Sequence, residues 1–160
     1  MPQKEQKAQP QDKAIKSRPN EKHLEFLQNN IARMNQCSFQ MKGWAITIAS
    51  ALIAVFVSTI SDEHPGSKIY LMAAIAATLL FWCLDSLYLS KERRFIGMYN
   101  DLIGVGNGPK QPIVQVKEFE IPMKKYGGWQ YCILRAIVSP SGLLLYGAII
   151  AGLVYLYRIV

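Results

Sequence analysis

The sequence is poor in the residues from which most active sites are built. It has 2 His and 3 Cys in 160 residues. Cys37, Cys83 and Cys132 are odd in number and lack metal-ligand spacing, so they read as reduced thiols behaving as small hydrophobes. No metal or cofactor site is expected. The first twenty residues hold no apolar stretch of the kind a secretory signal needs, so the first apolar block is expected to be retained. Acidic side chains are also scarce. Eleven Asp and Glu stand against 18 Lys and Arg, a formal charge of +7.

Against these shortages, 51% of the residues are hydrophobic. The mean hydropathy of +0.10 is high for a chain this charged, so the two residue types must be segregated. The apolar residues fall in blocks at 44–60, 69–84 and 142–157. Outside them too little apolar sequence remains for a large soluble core. That argues against a large soluble enzyme and for a small membrane protein.

Residues 1–19 are Gln- and Lys-rich and read as a disordered basic tail. Asn20 is a good N-cap, with Glu21 in the first turn. Leu24, Leu27, Ile31, Met34, Ser38 and Met41 then recur at alternating spacings of 3 and 4, a heptad seam. Nothing interrupts the path into Trp44, so one helix is predicted from 20 to 60. A polar turn at 61–68 leads into a second helix reaching 103. Together these make a long helical hairpin over 20–103, with transmembrane spans at about 44–60 and 69–89. Residues 104–138 read as a loop followed by a short interfacial helix at 129–138. Within 109–128 the alternating stretch fits an edge strand or an extended crossing segment equally well. Residues 139–160 form a third span. The predicted fold class is an all-α membrane protein.

The basic residues set the orientation. Eight lie in 1–42 and eight in 90–138, while the 61–68 turn and the C-terminus have one each. By the positive-inside rule the N-terminus and 90–138 are cytoplasmic, and the C-terminus is periplasmic. The same rule, with contact to anionic lipid headgroups, accounts for the basic excess without nucleic acid. His23 and His64 fall on opposite sides of the membrane and cannot share a site, and no Ser–His–acid set survives this topology. Gly104-Val105-Gly106-Asn107-Gly108-Pro109 superficially suggests a phosphate loop. It lacks the Lys-Ser/Thr of a P-loop and follows a helix rather than a strand, so it reads as a loop. Catalytic residues are therefore expected to be absent.

Asp85 is the most informative residue, because an acid near the membrane needs a partner or water. A hairpin centred near residue 64.5 sets Asp85 opposite Trp44 and within one turn of Lys42. It predicts either a Lys42–Asp85 ion pair that fixes register, a ring of acids at a pore mouth, or an acid reaching headgroup water. Small residues also align. Thr47, Ser50, Ala54 and Ser58 form one stripe, a candidate lumen or packing face; Ala73 and Ala77, and Gly147 and Ala151, form others. Stripe and seam together predict a homo-oligomer.

Two stretches carry a family likeness. One is Lys42-Gly43-Trp44 at the start of the first span. The other is Trp82, Asp85, Tyr88, Glu92 and Arg93, with Tyr99 shortly after. This pattern, over about residues 23–102, resembles the RipA-type octameric membrane proteins of bacteria, some of them found near phage-defence genes. The resemblance implies a homo-oligomeric inner-membrane protein without enzymatic activity. It marks Lys42, Trp44, Trp82, Asp85, Glu92, Arg93 and Tyr99 as pattern positions. The function expected is a membrane effector or pore subunit. The alternative is a non-conducting scaffold that recruits a cytoplasmic protein partner through 20–42 and 90–138.

Overall fold

The computed structural model describes residues 20–63, 65–107 and 121–160. The expected disordered tail at 1–19, His64, and most of the predicted strand or crossing segment lie outside them. The described chain is helical: α1 (Glu21–Ser58), α2 (Lys68–Leu102), α3 (Ile133–Ile137) and α4 (Pro140–Ile159), with 3₁₀ turns at Met123–Tyr126 and Trp129–Tyr131. Helices α1, α2 and α4 are each long and apolar enough to cross a membrane.

Helix α1 starts where the sequence provides a cap: the Asn20 side chain accepts the Lys22 amide at 3.0 Å. Its 38 residues extend about 57 Å at ~1.5 Å per residue. It ends at Thr59, whose hydroxyl donates to the Phe56 carbonyl and accepts the Ser67 amide at 3.0 Å, closing the hairpin turn. Gly66 completes this turn at φ +91°, in the left-handed region where a side chain is strained. A Cβ there would also lie 2.9 Å from Ile60.

Helix α2 is central. Helix α1 packs along it antiparallel, and α4 covers its N-terminal half. Two apolar cores sit at opposite ends of the hairpin. Phe56, Leu71, Ala74 and Leu153 form the one nearer the turn, joining α1, α2 and α4. The ammonium of Lys68 lies 5.2 Å from the Tyr157 ring at the same end. Leu27, Phe95, Met98, Tyr126 and Tyr131 form the other core, in a head built from α1, α2 and the 121–137 segment.

The head revises two expectations. The heptad seam does not point outward to another subunit. Leu27 is fully buried against α2, and Ile31 and Met34 pack on the same core, so the hairpin itself consumes the seam. The short helix expected at 129–138 is broken at Cys132, which is extended at φ −71°, ψ 143°. The break has a cause: the Ser90 hydroxyl donates to the Tyr131 carbonyl at 2.6 Å and holds it on α2. The Tyr131 ring then lies over Gly97, where a Cβ would fall 2.6 Å from its hydroxyl.

Candidate functional site: a buried charge cluster between the two cores

Between the cores the hairpin crosses a polar layer. The structure brings Lys42 and Asp85 together, with Nζ 2.8 Å from Oδ2 and 2.9 Å from Oδ1. Ser38 completes a ring. Its hydroxyl donates to Asp85 Oδ1 and accepts from Lys42 Nζ at 2.7 Å. Ser38 and Lys42 can do this because they stand one helical turn apart on the α1 face toward α2. The Asp85 side chain is 4% exposed and that of Lys42 21%. This is a closed pair inside one protomer, so Asp85 does not stand at an open mouth as the acid-ring alternative requires.

Helix α4 seals the layer from the other side. Tyr146 is fully buried, and its hydroxyl points toward Asp85 without completing a hydrogen bond of good geometry. Its ring stacks on Trp82 at 5.8 Å between centroids. The Trp82 indole in turn donates to the Ile137 carbonyl at 3.2 Å. Trp82 therefore pins α4 to α2. Nearby hydroxyls satisfy themselves on their own helix: Ser86 on the Trp82 carbonyl and Thr78 on the Ala74 carbonyl.

The remaining pattern residues scatter. Trp44 points outward and is 56% exposed. The Tyr99 hydroxyl accepts from Gln28 at 3.1 Å across the hairpin. Glu92 is half-buried; burial raises its pKa above the ordinary carboxylate value, against the opposing pull of Lys42 and Arg93. Arg93 opens onto a cavity in the head. Thr47, Ser50, Ala54 and Ser58 are all exposed. Ala54 and Ser58 lie nine residues from Ala45 and Ala49, about 180° around the helix from the face on α2, while Ser50 borders a groove between α1 and α4.

Several residues of the head gave no sequence signal. Buried Asp101 accepts from the Tyr126 hydroxyl at 2.7 Å and from the Asn107 amide at 2.9 Å. Burial, then this bond to Asp101, pushes the Tyr126 hydroxyl pKa well above its usual value. His23 is buried at the start of α1. Cys37 and Cys132 are half-buried, Cys83 is exposed, and all three are free thiols. Among the described residues, no group of three His, Cys, Asp or Glu converges as metal ligands would.

No protein-family model, curated protein or solved structure matches this chain. The likeness to the RipA-type proteins therefore rests on the quoted residues alone.

Proposed function

We propose that this chain is a non-enzymatic subunit of a homo-oligomeric bacterial inner-membrane protein, acting as a membrane effector along a path beside α1. The observation that carries this reading is the outward stripe of Thr47, Ser50, Ala54 and Ser58. All four are exposed in the protomer; Thr47, Ala54 and Ser58 lie on the side of α1 turned away from α2, and Ser50 at the edge of the groove between α1 and α4. Small residues at such spacing let helices or a narrow wet path meet α1 closely. Helices α1, α2 and α4 are the three spans. The head, with 20–42 and 90–138, is cytoplasmic, and the C-terminus is periplasmic, by the distribution of the basic residues.

A second reading, a non-conducting scaffold that presents the head to a cytoplasmic protein, has its own support. Asp85 is sealed, and the Thr47 and Ser58 hydroxyls donate to the Gly43 and Val55 carbonyls at 3.0 and 2.7 Å. Those two hydroxyls need no water.

Ala54→Leu separates the readings in liposomes. A lumen beside α1 predicts loss of ion flux with the assembly intact. A tight subunit contact predicts loss of the assembly. Intact oligomers whose flux is the same as that of the parent protein would favour the scaffold.

Orientation has its own test on a background lacking the three native cysteines. Ser67→Cys, beside the hairpin turn, should react with an impermeant thiol reagent on intact cells. Lys124→Cys should react only after the membrane is opened. The reverse pattern would overturn the orientation.

A further inference from the structure

The head holds a cavity of about 340 Å³ that the proposed function leaves unused. Arg93 and Asn100 line it from α2, Arg135 from α3, Gln130 from the preceding 3₁₀ turn, and Gly106 and Asn107 from the loop after α2. The two arginines come from separate elements, and three features of the packing fix their spacing. Ser90 ties the Tyr131 carbonyl to α2, just ahead of α3. The Tyr131 ring seats on Gly97. Asn107 anchors the loop by donating to the Gly97 carbonyl at 3.1 Å and to Asp101 at 2.9 Å.

Among the described residues the lining contains no carboxylate. The nearby Asp101 is taken up by Tyr126 and Asn107, and Glu92, which feels the Arg93 charge, is not part of the lining. Among the described residues neither guanidinium has a carboxylate within ion-pair distance. Two cations held at one opening repel each other until an anion lies between them. The planar fork of arginine matches phosphate oxygens two at a time. The volume sits near the lower end of small-ligand sites, roughly 300–1,000 Å³, and suits a phosphate group with a small ester.

We infer that the Arg93–Arg135 cavity binds the phosphate group of an anionic phosphate ester. That ester is either the headgroup of an anionic phospholipid or a soluble phosphorylated molecule. The lipid source has support at the rim, where Trp129, Leu134 and Val138 are 69%, 59% and 65% exposed beside Arg135. Such a segment can lie in the membrane interface with its arginine at phosphate depth. The site stands on the C-terminal end of α2, beyond its apolar stretch, and on the 121–137 segment, so it is independent of whether the assembly conducts.

The test uses the full chain in an uncharged detergent. The probes are short-chain phosphatidylglycerol and inorganic pyrophosphate, read by native mass spectrometry and by titration. Saturable binding at one ligand per protomer is expected. Combining Arg93→Gln with Arg135→Gln should weaken it by at least about tenfold, the loss of one or more charge-assisted hydrogen bonds. Arg135→Lys should fall between, because it keeps the charge and loses the fork. If the double variant melts early, the single Arg135→Gln, at an exposed position, carries the test. Binding of phosphatidylglycerol alone identifies a lipid site, of pyrophosphate alone a soluble ligand, and of both a site for the phosphate group itself. Failure of both probes to bind, or unchanged affinity in folded variants, would overturn the assignment.

Discussion

Lys42→Ala is expected to destabilise the detergent-solubilised protein by about 3–5 kcal/mol, the usual cost of stranding a buried charge. The substitution leaves the Asp85 carboxylate almost wholly buried, with Ser38 as its remaining close donor. Asp85→Ala should cost less. The charge it strands is Lys42, whose side chain is five times as exposed, 21% against 4%, and whose long stem can carry the ammonium to headgroup water. The ordering of the two variants is thus a prediction in itself. The double variant should be less destabilised than the sum of the singles, because each single removes the same interaction. Thermal or denaturant melts of the four proteins measure this. Strict additivity would remove the pair as a unit, and an effect of at most about 1 kcal/mol would mark it as an exposed surface bridge.

Leu27→Ala should lower protomer stability by about 2–5 kcal/mol. Leu27 is 0% exposed and touches a core of Phe95, Met98, Tyr126 and Tyr131. Truncation leaves a cavity that two aromatic residues, Tyr131 held by its backbone carbonyl on Ser90 and Tyr126 by its hydroxyl on Asp101, cannot collapse to fill. The variant also discriminates between two uses of the seam. If the seam is internal, the melt falls while the assembly at low temperature keeps its mass. If the seam joined subunits, the mass would fall and the protomer melt would barely move.

The large-scale fold was legible because its signals are simple. Three charge-poor blocks mark three helices long enough to span, and an Asn at position 20 caps the first. The register argument also reached the right neighbourhood. Lys42–Asp85 and Gln28–Tyr99 both lie symmetrically about position 63.5, one residue from the expected 64.5. What periodicity cannot give is which partner a face meets. The seam at Leu27, Ile31 and Met34 has the spacing of a coiled coil whether it faces α2 or another copy. Ser38 read as one more small seam residue, yet its hydroxyl links both members of the ion pair. Tyr146 stands in an apolar span with no periodic signal to mark it, and its ring is the α4 contact for Trp82. The head was the least legible part. Asp101, Asn107 and Tyr126 are bonded across a loop, at separations no helical or strand period connects.

The proposed function requires an assembly of several copies in a membrane, with the small-residue stripe on α1 as its support, and mass measures that most directly. The intact protein, extracted in a mild uncharged detergent, should give a single species whose protein mass is a whole-number multiple of 18.0 kDa. That multiple should persist in Leu27→Ala at low temperature. A folded species of 18.0 kDa alone, stable on dilution and unchanged when anionic lipid is added, would contradict the account.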